Sequence, residues 1–297
     1  MNIRSVLKVL GFLVLVTACC LVLPGLISLA YGEPDWPWFL LAAAGGAVVG
    51  GLTLRIMKEA PDLRVREGFA VVAFGWLVVG LLGAVPGWLS GQMPSFTDAV
   101  FESISGFTTT GASILTDIEA RSHGTLFWRA LTHWLGGMGI VLLAVAILPL
   151  LGVGGMQLYR AEVPGPVAER LTPRIRETAK RLWAVYVLLT ALEVAALMTA
   201  GMGVFDAVCH SFATMATGGF SNHNGSVGGY AIPAVEWIII VFMFLAGANF
   251  SLHYLVLTGQ WKSYWEDEEF RFYASIILVA TLLIGGSLLS IGFYEEG

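Results

Sequence analysis

Residues 101–113 read FESISGFTTTGAS, a run of small hydroxyl residues and glycine wedged between two long apolar segments. A second copy lies downstream. Laying 96–113 over 204–221 without a gap, at a constant offset of 108, pairs Asp98 with Asp206, Ala99 with Ala207 and Ser103 with Ser211. It also pairs Thr109 with Thr217, Gly111 with Gly219 and Ser113 with Ser221. Two ungapped copies of a polar, glycine-bearing loop among apolar segments imply a shared task, and the residue types point to the walls of an ion filter.

The chain as a whole is 57% hydrophobic and only 12% charged over 297 residues, with a mean hydropathy of +0.77. Soluble domains carry about 25% charged residues, so the composition places the chain in a bilayer. Seven segments satisfy the rule of roughly 20 apolar residues per span. They lie near 6–29, 38–57, 69–89, 126–151, 182–201, 233–257 and 272–291. The first is too long for a signal peptide's apolar core and is read as a retained helix.

Positive charge orients these spans, because Lys and Arg in short loops stay cytoplasmic. With the N-terminus inside, fourteen of the sixteen Lys and Arg face the cytoplasm and only Arg121 and Arg129 face out. Both repeated loops are then external. Cys19, Cys20 and Cys209 form no metal spacing or disulfide framework and read as buried, inert thiols.

Between the third span and the loop, Ser95 or Thr97 can cap a short helix with Asp98 in its first turn. Ending near Gly106, that helix is about 15 Å long, half a bilayer. The chain then returns outward through 108–113, a re-entrant path tolerated only where it is buried in protein or lines a watery cavity. The same plan repeats with a half-helix over 205–215 and a loop over 216–221. The chain crosses twice between the loops, so the repeats are parallel, as suits a pore on a pseudo-rotation axis; rocking transporters use inverted repeats. Gly136, Gly137 and Gly139 offer a smooth face for another helix or for the filter.

Backbone carbonyls can replace a cation's hydration shell without a fixed charge, and glycine reaches the backbone angles this requires. Half-helices that point their C-terminal, partly negative ends inward favour a cation; an anion would call for helix N-termini and Arg. The fold class expected is therefore all-α integral membrane: an N-terminal helix hairpin followed by tandem helix–pore-loop–helix modules. The divisions are a hairpin over 1–60, a first module over 61–155 and an Arg/Pro-rich link over 156–180. A second module covers 181–260, and 261–297 forms the outer helix of a third, incomplete module. The hairpin is expected to be peripheral and without chemistry, and 233–257 to be one inner helix.

Other polar residues receive plainer readings. Glu102 and His210 occupy equivalent half-helix positions and are read as buried hydrogen-bonded support rather than ion ligands. Glu193, mid-span, is read as packed on a polar neighbour, although an intramembrane carboxylate is a functional candidate by default. His133, Glu236 and His253 are expected to cap or hydrogen-bond, and His123 and His223 to be solvated. Asn224-Gly-Ser226 matches a glycosylation motif too short to carry weight, and Arg170–Arg181 serves as positive-inside anchoring or a docking surface. No zinc, Ser/Lys or paired-Asp constellation converges, so the chain is not read as an enzyme, and nothing suggests nucleic-acid binding.

The loops TTTGAS and ATGGFS, together with HWLGGMGIVLLAVAILPLLGVGGMQLYRAEVPGP and LTPRIRETAKRLW, resemble the Trk/Ktr/HKT family of potassium uptake proteins. Two helices ahead of the first module make the chain more similar to the Trk branch. The resemblance implies a pseudo-fourfold potassium pore of four linked modules, of which two and one further helix are present here. It implies K+ as the transported ion, with backbone coordination at Thr109, Thr110 and Gly111 and at Thr217, Gly218 and Gly219. Thr108, Ala112, Ala216 and Phe220 flank those positions. It also implies a homodimer in the lipid of the bacterial inner membrane and a cytoplasmic nucleotide-binding regulatory subunit. The rival reading is an ion-coupled secondary transporter, a symporter of H+ or Na+.

Overall fold

The structure, a computed structural model, describes residues 2–58, 65–147 and 168–290; the side chains of 65, 66, 140–147 and 168–176 are not among those described. All its described regular structure is helical. In order, the helices are α1 (Ile3–Ala30), α2 (Trp36–Ile56), α3 (Val65–Leu89), α4 (Phe96–Phe107), α5 (His123–Ile147) and α6 (Ala168–Thr199). There follow α7 (Val204–Met215), a 3-10 turn (Ser226–Tyr230), α8 (Pro233–Ala246), α9 (Phe250–Leu257), α10 (Ser263–Glu266) and α11 (Glu268–Ser290). Among the described residues α1, α2, α3, α6 and α11 are each long and apolar enough to cross a membrane, and α8 with α9 make a sixth span if taken together. The chain divides into two compact units, Met1–Met243 and Phe244–Gly297.

In the first unit α1 and α2 pair along a seam of small residues. A Cβ at Gly50 would lie 2.8 Å from the Gly11 carbonyl, and one at Gly46 2.9 Å from the Ala18 methyl. In lipid, where apolar burial does not drive helices together, such backbone approach is what associates them. The hairpin is tied to the rest of the unit by two acidic residues of its connector. Asp35, 2% exposed in the connector, accepts hydrogen bonds from the hydroxyls of Ser28 and Ser122 and, at 3.4 Å, of Thr125. Glu33 accepts from the backbone N–H of His123 at 2.8 Å and of Gly124 at 3.4 Å. Glu33 thus takes two of the open N–H donors of α5, and the Ser122 hydroxyl, itself held by Asp35, takes that of Thr125 at 3.1 Å. Both carboxylates sit at the positive dipole end of the helix and fasten the hairpin to it.

Two boundaries differ from expectation. The helix α6 starts at Ala168, so half of the presumed link is helical backbone. The expected inner helix over 233–257 is interrupted: α9 restarts at Phe250, with the Asn249 side chain accepting from the Ser251 N–H at 3.0 Å, a local bond that competes with helix continuation. In the second unit a Cβ at Gly247 would run into the Tyr273 hydroxyl, which donates to the Phe244 carbonyl at 3.1 Å. None of the described residues of α11 is buried.

Candidate functional site

The two repeats share a backbone. α4 and α7 are both 12 residues long and their bounds differ by 108. Beyond α4, Thr108 N–H donates to the Ile104 carbonyl at 2.8 Å, Thr109 to Gly106 at 3.0 Å and Thr110 to Ser105 at 2.9 Å. Beyond α7 the same three bonds recur: Ala216 to Phe212 at 3.3 Å, Thr217 to Thr214 at 2.9 Å and Gly218 to Ala213 at 2.9 Å. Left-handed backbone then falls at matching places, with φ of 54° at Thr109 and 55° at Thr217, 75° at Gly111 and 87° at Gly219. A threonine at positive φ is strained, since its Cβ crowds the backbone there. Two threonines strained at one repeat position indicate a backbone shape that matters. Left-handed residues at every second position turn the intervening peptide planes, so that neighbouring carbonyls can face one side. The loops also meet: a Cβ added to Gly111 would run into the Gly218 carbonyl.

Behind them stands α5. A Cβ at Gly136 would strike the Phe107 carbonyl, and one at Gly137 would come within 2.8 Å of the Ala216 Cα. The glycine-rich face therefore receives the inner ends of both half-helices.

One residue that the sequence reading counted only as an outward charge ties the site together. Arg129, 3% exposed, donates from Nε to Glu102 Oε1 at 2.8 Å, from Nη2 to the Ser113 hydroxyl at 3.2 Å and from Nη1 to the Ser221 carbonyl at 3.2 Å. Its guanidinium also lies 4.1 Å from the Phe220 ring centroid. Glu102 accepts from the Ser113 hydroxyl at 2.8 Å and from the Ile114 N–H at 3.0 Å. A buried ion pair repays its desolvation only when further hydrogen bonds are made, and here both partners spend them on loop residues. The expected support role of Glu102 thus has a cationic partner. The signal available was a polar stripe on one helical face, Arg129, Thr132 and His133, all fully buried.

The equivalent position in the second repeat, His210, instead shares a 3.1 Å hydrogen bond with the Tyr230 hydroxyl. Burial first, and the Asp206 carboxylate second, push the Tyr230 pKa upward, so it keeps its proton. Asp206 accepts from Asn222 Nδ2 at 2.9 Å.

Of the remaining polar residues, some depart from the sequence reading and others, such as His253 and Glu193, keep it. His133 neither caps nor hydrogen-bonds: it is fully buried, both ring nitrogens lack partners, and it stacks on Phe220 at 4.0 Å. His123 stacks on Tyr31 and its Nδ1 lies 2.8 Å from Glu33, while His223 Nδ1 lies 3.0 Å from Glu119. Glu193 is fully buried beside Thr214, with neither carboxylate oxygen in a hydrogen bond of ordinary geometry. Only Cys209 is buried; Cys19 is exposed. Glu236 is exposed in the first turn of α8, and His253 Nε2 bonds the Leu245 carbonyl at 2.9 Å. Asn224 clasps the outer loops, accepting from the Ile118 N–H at 2.9 Å and donating to Glu119 at 3.3 Å. The side chains of Arg170, Arg174 and Arg176 lie outside the described residues. Among the described residues no three or more His, Cys, Asp or Glu gather as a metal site.

Residues 42–295 match the TrkH family, described as cation transport proteins. The chain belongs to the TrkH family. It is 44% identical over 296 residues to the Trk system potassium uptake protein TrkH of Escherichia coli K12, covering 96% of this chain and 60% of that protein. It is 35% identical to TrkG of the same organism, over 99% of this chain and 61% of the other. The crystal structure of the potassium transporter TrkH from Vibrio parahaemolyticus superposes with a TM-score of 0.87 at 36% identity, covering 99% of this chain and 61% of that one. The chain thus spans about three-fifths of the length of these TrkH relatives. As a TrkH-family chain it is a multi-span helical membrane protein.

Proposed function

We propose that 108–113 and 216–221 are two walls of a potassium selectivity filter in the ion-translocating subunit of a Trk-type uptake system. The observation that carries this reading is the matched backbone: equal half-helices, three equivalent hydrogen bonds and left-handed φ at 109 and 111 as at 217 and 219. Carbonyls of Thr109, Thr110 and Gly111, and of Thr217, Gly218 and Gly219, replace the water around K+, with Thr108, Ala112, Ala216 and Phe220 flanking them. The negative ends of α4 and α7 lie at the start of each loop and favour a cation. Arg129 does not oppose this, because its charge is taken up by Glu102.

In this reading the modules span 61–155 and 181–260, with a link over 156–180, the hairpin over 1–60 before them and the outer helix of a third module over 261–297. The N-terminus is cytoplasmic, and Arg129 drops out of the outward charge count because it is buried. The subunit works as a homodimer in the bacterial inner membrane under a cytoplasmic nucleotide-binding partner. The relatives' names support potassium as the ion and uptake as the activity.

The test is Gly219→Asp in the assembled transporter, read as rubidium uptake and its inhibition by sodium. Uptake falls, or sodium competes. Unchanged potassium-over-sodium preference would sink the filter assignment.

A further inference from the structure

We propose that His133 is a positioning residue for the second loop: its imidazole is the plate against which the Gly218 peptide is set, and it restricts position 218 to glycine. This rests on reading the loops as filter walls, and it assigns part of the second wall's ion discrimination to a side chain of the first repeat.

Gly218 is not a glycine for backbone reasons. Gly111 and Gly219 have positive φ, whereas Gly218 is absent from the left-handed residues. Space is what excludes a side chain: a Cβ there would come within 2.6 Å of both Cγ and Cε1 of the His133 ring, a separation at which one group must move. The ring has nowhere to go. It is fully buried on α5, and Phe220 stacks against it at a 20° interplanar angle. The Arg129 guanidinium one turn earlier lies 4.1 Å from the same Phe220 ring. The helix itself is held by Gly136 and Gly137 against Phe107 and Ala216. In the first loop the offset places Thr110 where Gly218 stands, and there the side chain is exposed and accommodated.

The ring acts through its faces, because neither nitrogen has a hydrogen-bond partner. What it positions is consequential. The Gly218 carbonyl points at the space a Cβ of Gly111 would occupy, so a displaced Gly218 peptide changes the spacing between the two loops. Discrimination between cations of different radius depends on that spacing.

The experiment uses the full-length transporter with its regulatory partner in native membranes, read as rubidium uptake and sodium inhibition, with folded protein quantified by size-exclusion chromatography. Gly218→Ala is expected to cut uptake about tenfold or more, as overpacking does. Adding His133→Ala to it restores uptake to within about threefold of the parent, the non-additivity of touching residues. His133→Ala alone loses discrimination against sodium, read as stronger sodium inhibition of whatever rubidium uptake remains. His133→Phe retains discrimination, and His133→Gln, which offers hydrogen bonds but no ring face, behaves like alanine. If Gly218→Ala does not fold, the same rescue is read as folded yield. Failure of the double variant to recover, or retention by Gln with loss in Phe, overturns the proposal. A fully active, selective Gly218→Ala also overturns it, while Gly219→Asp reports separately on the filter reading: were that variant still selective, the filter assignment itself would fall.

Discussion

The two loops have one backbone and two kinds of backing. The first is held by its own polar groups: Ser105 donates to the Ala112 carbonyl at 2.6 Å, the Thr108 and Thr110 hydroxyls share a 2.8 Å bond, and Glu102 with Arg129 secures Ser113 and Ile114. The second is held chiefly by packing, with polar bonds only at its outer end, from Arg129 to the Ser221 carbonyl and from Asn222 to Asp206. Ala216, Phe220, Ser221 and Asn222 are buried, and α5 supplies the surfaces they meet. Where the first repeat has the Glu102–Arg129 pair, the second has His210 and Tyr230. The same loop shape can be stabilised by charge-assisted bonds or by shape, and the two fail differently. A bonded loop loses its geometry when one partner is removed; a packed loop loses it when a methyl group is added.

The largest effect follows from breaking the charged prop. Arg129→Met leaves Glu102 buried and unpaired, which costs about 3–5 kcal/mol and frees the Ser221 carbonyl as well. Loss of folded protein and of thermal stability is expected, whereas the double variant Glu102→Leu/Arg129→Met recovers much of it. Retention of parental stability by the single variant would show that the ion pair carries nothing. Next, Gly136→Ala drives a methyl group into the Phe107 carbonyl and destabilises by about 1–3 kcal/mol, measured by thermal shift in detergent; an unchanged transition would show that α5 yields there.

A smaller effect belongs to the neutral prop. Tyr230→Phe removes one uncharged hydrogen bond to His210, worth about 0.5–1.5 kcal/mol, so its melting shift should be well below that of Arg129→Met. Equal shifts would erase the distinction between the loops. The smallest is at the outer clasp, where Glu119→Gln weakens exposed contacts to His223 and Asn224 by at most about 1 kcal/mol. Its melting shift should be the smallest of the four; a shift as large as that of Tyr230→Phe would mean the clasp bears more than these contacts.

How much of this was legible in the sequence depended on whether a feature was local. The repeat was legible, because the half-helix and loop owe their shape to bonds between residues a few positions apart, and the offset of 108 carries each residue onto its counterpart. The glycine face of α5 was legible for the same reason. Arg129 was not: the offset carries it onto Trp237, which is 68% exposed, so the repeat gives no hint of it. Asp35 was not legible either, because its partners Ser122 and Thr125 lie 87 and 90 positions away. Positive-inside counting even placed Arg129 among outward charges, since it weighs loops and takes no account of what a helix end packs against.

The sequence by itself therefore determined that the chain is a helical membrane protein with two copies of one polar loop. Composition, apolar length and the fixed offset depend only on the order of residues. The tertiary structure alone decided which groups stand behind each copy. Glu102 with Arg129, Arg129 with Ser221, His133 with Gly218 and Asn224 with Ile118 are meetings across 27 to 106 positions. Such contacts are selected by the need to satisfy every buried polar group and fill every space at once, and that constraint acts on the packed molecule rather than on any window of its chain.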